Sequence, residues 1–227
     1  PLDKVARELG LGAGEAEAML AEAKEKLFEV RERRVKPALD DKILTSWNGL
    51  MISAMAKGAQ VLDDPRYAET AGRAADFVLS EMTEGDLLLR THRGGRSKLN
   101  AYLDDYAFLA SGLLDLYETT FDLRWLREAK RLMLVLIEYF WDGHEGGFYF
   151  TGKNHEPLLT RSRSGIDGAI PSGNAVAAGA LLRLGVLTGE EVFRQKGVEL
   201  LRAFRAVMEK APSGLARFLA ALDFYLD

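Results

Sequence analysis

Apolar residues recur at helical spacing along almost the whole chain, and they predict helices rather than strands. The first stretch, Gly14–Arg34, sets Ala, Leu and Val among Glu, Lys and Arg, with Glu22–Lys26 and Glu29–Arg33 at the favourable i,i+4 spacing. Trp47–Leu62 is more apolar, carrying Leu50, Ile52, Met55 and Val61. Asp64-Pro65 reads as an N-cap followed by proline at the first helical position, opening a helix that runs to about Met82. Leu103–Thr120 with Leu123–Trp141, and Pro171–Leu187 with Glu190–Glu209, predict two further pairs. Leu215–Leu226 predicts a closing helix.

The pairs repeat. Each first helix opens near a short polar residue (Asn48, Asp105, Asn174) and each second helix presents an aromatic near its start (Tyr67, Trp125, Phe193), at separations of 19, 20 and 19 residues. The first helices are apolar nearly all round and rich in small residues, as in Ala175–Ala180. The second ones are amphipathic, as in Arg66–Met82. A helix apolar on every side is buried and one with a charged face meets water, so the pattern predicts an inner and an outer ring. A hairpin repeat of this size predicts a solenoid or closed toroid.

Thr83–Tyr102 and Asp142–Ile170 are long, Gly-rich return segments with strand-like runs at Leu87–Thr91 and Gly147–Thr151. The Gly-Gly pairs at 94–95 and 146–147 suit hairpin turns. Loops of this length in a compact domain are commonly functional. All return segments feed the N-termini of inner helices, so they are expected to emerge on one face.

Composition narrows the chemistry. The 227 residues are 48% hydrophobic and 28% charged, with net charge −4, so no basic excess points to nucleic acid. There is no cysteine, which removes disulfides, Cys-ligated zinc and a thiol nucleophile. The longest glycine-free apolar run is Leu132–Ile137, too short to span a bilayer. With 19 Arg to 11 Lys and two Gln, the chain fits a heat-adapted, cytoplasmic source. His92, His144 and His155 lie in loops at no ligand spacing, so no metal is expected. The glycine stretches match no nucleotide-binding fingerprint, no nucleophile elbow occurs, and no cofactor is expected.

The shared face collects Asp41, Trp47 and Asn48, then Arg90, Arg93, Asp104, Asp105 and Tyr106, then Arg161, Arg163, Asp167, Ser172 and Asn174. Carboxylates can accept sugar hydroxyls or act as general acid and base, and aromatics can stack on sugar faces. The arginines and helix N-termini favour an anionic group on such a ligand. Each residue also has a plain structural reading. Asn48, Asp105 and Asn174 suit N-caps, Trp47 suits the core, Asp41 suits a solvated turn, and the aspartates can neutralise the arginines.

Three runs, Asp41–Met51 (DKILTSWNGLM), Leu103–Phe108 (LDDYAF) and Asp167–Ala175 (DGAIPSGNA), together resemble the C-terminal part of a bacterial and animal family of thioredoxin-domain-containing, spermatogenesis-associated proteins. The resemblance implies an all-α fold, an (α/α) toroid of helical hairpins of the six-hairpin glycosidase-like kind, with small β-hairpins in its loops. It places the whole of 1–227 in that barrel. The thioredoxin-like domain and the first part of the barrel are absent, so no redox activity is carried over. It also implies that Asp41, Trp47, Asn48, Asp104, Asp105, Tyr106, Asp167, Ser172 and Asn174 stand at motif positions. Asp104, Asp105 and Asp167 are the expected catalytic residues of a glycosidase or sugar epimerase. The remaining motif residues, with Arg161 and Arg163, are expected to bind a hydroxylated ligand. A non-catalytic ligand-binding module and a protein-interaction scaffold stay open as alternatives. Three to four hairpins leave an open barrel edge, which self-association or a missing N-terminal region is expected to cover.

Overall fold

The structure, a computed structural model, describes residues 1–227. They form two units, Pro1–Asp41 and Lys42–Asp227. The first is a helical hairpin, α1 (Leu2–Glu8) and α2 (Ala13–Glu32), which buries Ala6 and Ala16. Sequence periodicity anticipated α2 but not the short α1.

The second unit holds three helical hairpins and a closing helix: α3 (Thr45–Leu62) with α4 (Pro65–Glu81), α5 (Leu103–Thr120) with α6 (Leu123–Phe140), α7 (Gly173–Thr188) with α8 (Glu191–Lys210), then α9 (Ala216–Leu226). The inner and outer layers follow the composition. Helix α5 packs between α3 and α7, and α7 also packs on α9. Every residue of α5 from Leu103 to Leu116 is buried except Asp104. Helix α6 instead buries one face, Trp125, Ala129, Leu132, Met133, Val135, Leu136 and Phe140, and leaves Arg124 and Arg127 exposed. Of the three aromatics at the repeat positions, Trp125 and Phe193 are buried, whereas Tyr67 is 37% exposed, its ring lying over Gly58.

Two devices hold the inner helices together. Helices α3 and α5 touch backbone to backbone: a Cβ on Gly49 would stand 2.5 Å from the Leu109 nitrogen, and one on Gly112 would stand 2.5 Å from the Gly49 oxygen. Further along, the buried Asp115 carboxylate accepts from the Ser53 hydroxyl and from Arg183 (2.8 Å), while Arg183 also donates to Glu118 (2.7 Å). Lys57 lies 3.5 Å from both acids. This network spans α3, α5 and α7 and satisfies the charge that α5 buries.

The strands make a small antiparallel sheet around β3 (Leu87–Arg93). It pairs with β4 (Arg96–Asn100), β1 (Ile43–Leu44) and β2 (Thr83–Glu84), in a register that sets Leu89 opposite Asn100 and Ile43 opposite His92. Gly94 and Gly95, at φ 57° and 72°, form the tight turn between Arg93 and Arg96 that such a hairpin needs. The expected strand at Gly147–Thr151 does not form; only the Trp141–Phe148 bridge is present. Its backbone is used elsewhere: the Phe150 N–H donates to Ser162, and the Phe150 carbonyl accepts from Leu103 at the start of α5.

Candidate functional site

The α5 N-terminus is built around a buried carboxylate. Asp105 has no exposed surface. Its Oδ1 accepts the Ser46 N–H from α3 (2.9 Å). Its Oδ2 accepts the Tyr102 N–H (2.9 Å) and a weaker contact from Arg90 of β3 (3.3 Å). Burial raises the Asp105 pKa, against the opposing pull of the Tyr102 N–H, Arg90 and Ser46. Asp105 thus fastens three elements together. Arg90 continues the stack, its guanidinium 4.8 Å from the Tyr102 ring centroid, and that ring stacks on Phe150 at 4.8 Å.

Asp104, one residue earlier, faces the other way. It lines a cleft of about 280 Å³ with Phe150, Ser162, Ser164, Ile170 and Ser172. No other ionisable side chain lines this cleft. Its carboxylate accepts the Gly173 N–H at the first turn of α7. Burial, with the Asp105 charge behind it, pushes the Asp104 pKa up to about 6, although Arg90 and the Gly173 N–H pull it down. A carboxyl that holds its proton to near neutrality can act as a general acid. An apolar wall with a few convergent hydroxyls suits a small polyhydroxylated molecule.

Several expected ligand-binding residues are instead committed to the scaffold. Asn174 is fully buried; its Oδ1 accepts the Phe148 N–H (2.7 Å), and its Nδ2 donates to the Phe148 and Ser164 carbonyls (both 2.9 Å). The Tyr106 hydroxyl accepts the Leu88 N–H (2.9 Å), and burial pushes its pKa to about 12. Asp167 pins its own loop, accepting from the Ser172 and Arg217 N–H groups (both 2.9 Å). Arg161 donates to the Thr151 carbonyl, and Arg163 pairs with Asp142 (2.7 Å) and Glu145. The expected anion preference therefore loses both of these arginines to loop-ordering contacts.

None of the three helix openers is the N-cap residue itself, although Asp105, at the third helical position, completes a capping box by accepting the Tyr102 N–H. The N-caps are Leu44, Tyr102 and Ser172. Asn48, Asp105 and Asn174 fall inside the first turns, where Asn48 Nδ2 donates to the Leu44 carbonyl (2.9 Å). Ser172 caps α7 and its hydroxyl donates to Ser164 (3.2 Å). Trp47, expected to suit the core, is 63% exposed, one residue beyond the Ser46 that meets Asp105. Asp41 is exposed at the end of the first unit. No group of three or more His, Asp or Glu side chains could hold a metal ion. Gly173 stands beside the serine N-cap, where glycine has no helix-propensity reason to be, and that is the one signal in the chain of its close approach to Asp104.

No family profile matches the chain. Rat spermatogenesis-associated protein 20 is 35% identical over 233 residues, spanning 98% of this chain and 30% of that protein, and the human protein gives the same figures. The chain is homologous to spermatogenesis-associated protein 20. It spans under a third of that relative's length, and the homology extends the motif resemblance along nearly all of the chain. Solved structures share the architecture at low identity. Cellobiose 2-epimerase of Spirochaeta thermophila gives a TM-score of 0.58 at 18% identity, over 72% of this chain and 43% of that one. A GH76 α-mannanase of Bacteroides thetaiotaomicron gives 0.61 at 16%, over 75% and 47%. An α-1,6-mannanase of Salegentibacter, in complex with α-1,6-mannotriose and inactive with asparagine at two consecutive aspartates, gives 0.57 at 18%, over 82% and 54%. The fold of this homologue of spermatogenesis-associated protein 20 is thus the (α/α)-toroid, glycosidase-like one.

Proposed function

We propose that the cleft at the inner-helix N-termini binds a neutral saccharide and that Asp104 delivers a proton to one of its acetal oxygens. The single observation that carries this reading is the placement of Asp104. It is the one ionisable group of the cleft lining, and burial beside Asp105 keeps it protonated up to about pH 6. A proton on the glycosidic oxygen lets its bond to the anomeric carbon break as water adds there, and a proton on the ring oxygen of a reducing-end hemiacetal lets the ring open as O1 gives up its own proton, so one donor suits hydrolysis and epimerisation alike. The Salegentibacter mannanase supports it by analogy, since its inactive variant lacks two consecutive aspartates, as Asp104 and Asp105 are consecutive here. In this chain the two divide the work, Asp104 facing the ligand and Asp105 holding the turn. The exposed Trp47 ring supplies a stacking surface at the same end of the inner helices.

The test is turnover of neutral mannose- and glucose-containing oligosaccharides across pH 5–8, with Asp104→Asn as the control. Activity that the variant lowers at least about a hundredfold, as for loss of a general acid, supports the reading. Activity unchanged by the variant contradicts it. One observation favours a second reading, a binding module without turnover: paired-carboxylate hydrolysis uses two accessible acids, and the cleft lining holds one. Saccharide binding with no conversion selects it.

A further inference from the structure

The hairpin of Pro1–Asp41 buries almost nothing. Ala6 and Ala16 are its only buried residues, and a hairpin this small needs more apolar contact than that to hold its shape in water. What it exposes instead is ordered. Leu20, Ala23, Leu27 and Val30 follow one another along α2 at spacings of three, four and three, the seam of a helix that packs on another helix. The two ends of this seam differ in shape. Towards the start of α2 the two helices form an apolar groove of about 330 Å³, lined by Leu2, Val5, Leu9, Met19, Leu20 and Ala23. Towards its end the seam is a ridge, with Leu27 71% exposed and Phe28 and Val30 standing out beside it.

Charge divides in the same way. Residues 13–22 carry three acids and no base, and residues 23–36 carry six bases and three acids. Glu22 pairs with Lys26 and Glu32 with Lys36. That leaves Glu15 and Glu17 exposed at the groove end and Arg31, Arg33 and Arg34 exposed at the ridge end. The Arg31 guanidinium lies 5.4 Å from the Phe28 ring centroid, so a cation rides on the ridge itself.

We propose that this face is a dimer interface whose occupant is a second copy of the chain, with the two α2 helices antiparallel. A twofold axis across the middle of α2 puts each ridge into the other copy's groove, so one operation covers both surfaces at once. The same operation brings the acids at each groove end to the arginines at the other copy's ridge end. Parallel pairing would set acid on acid, base on base and ridge on ridge, so the charge pattern selects the antiparallel arrangement. The interface shares no residue with the Asp104 cleft and does not depend on what that cleft binds.

Sedimentation equilibrium of the whole chain tests this, with helicity followed by circular dichroism. The parent is expected to show twice the mass of one chain at micromolar concentration. Leu27→Asp, a change at an exposed position, should weaken the dimer at least about tenfold. Glu15→Arg with Glu17→Arg makes the groove end basic, and Arg31→Glu with Arg33→Glu makes the ridge end acidic. Each of these two variants alone should dimerise at least about tenfold more weakly than the parent, and an equimolar mixture of them should dimerise as the parent does. That recovery also shows that both variants fold. A parent that stays monomeric up to about 100 μM overturns the proposal, since the face is then covered within the chain or awaits a different protein. So does a dimer that the substitutions leave intact, which would place the contact on another surface such as the open barrel edge. A mixture that fails to recover overturns it too.

Discussion

Asp104 occupies the space that a side chain on Gly173 would need. A Cβ at that position would fall inside the van der Waals surface of Asp104 Oδ1 and stand 2.8 Å from Leu103 Cγ. Glycine at the first turn of a helix is ordinarily a weakness, and alanine there a gain of up to about 1 kcal/mol. Here the sign reverses. Gly173→Ala is expected to destabilise by about 1–3 kcal/mol through overpacking, with part of that loss recovered when Asp104→Ala is added and the rest held by the remaining clash with Leu103. Urea unfolding of the two single variants and the double one gives the coupling.

Asp104 makes stability depend on pH in a calculable direction. Its folded pKa, about 6, lies above the ordinary 3.8. Between those values the native state binds more protons than the unfolded chain, so this group's contribution falls as pH rises and levels off above about pH 6. Asp104→Asn removes that loss. The variant should match the parent below about pH 4 and exceed it by about 1–3 kcal/mol at pH 8. Urea midpoints measured at both pH values check this.

Asp105→Asn should behave differently despite the neighbouring position. Its carboxylate accepts from the Tyr102 and Ser46 N–H groups and from Arg90 with no exposed surface. An amide nitrogen would face donors on one side and leave Arg90 without its counter-charge, at a cost of about 2–4 kcal/mol. Thermal unfolding of the variant tests this, and a loss below about 0.5 kcal/mol would be too small for the bonds described.

Asn174 holds the third return loop in the same manner. Asn174→Ala leaves the Phe148 N–H and the Ser164 carbonyl inside the protein without that partner, which should cost about 2–3 kcal/mol. Hydrogen exchange should show the loss concentrated at residues 147–165 rather than in the helices.

The helices were legible from the chain because their signals are redundant. The α6 stripe from Trp125 to Phe140 repeats at helical spacing, and Asp64-Pro65 marks the start of α4. The all-round apolar pattern of α5 marks it as an inner helix. Less of the site could be read. Asp104 and Asp105 are the same residue type side by side, and only the roughly 100° rotation per helical residue sends one to the cleft and the other against α3 and β3. Asn174 and Tyr106 belong to recognisable motifs, but a motif does not say whether a side chain serves a ligand or the loop above it. The run at Gly147–Thr151 has strand composition, yet Asn174 and Ser162 take its backbone groups. The two-residue strand at Ile43–Leu44 is too short to carry a period.

The central claim is that the Asp104 cleft is where a saccharide sits. Backbone chemical-shift mapping of the parent chain titrated with mannotriose and cellobiose tests it most directly. The account predicts saturable shifts grouped at Trp47, Leu103–Asp105, Phe150 and Ser162–Gly173, weakened at least tenfold, about 1.4 kcal/mol, in Asp104→Asn. Saturable shifts grouped elsewhere on the protein, or no shifts with either sugar at millimolar concentration, would contradict it.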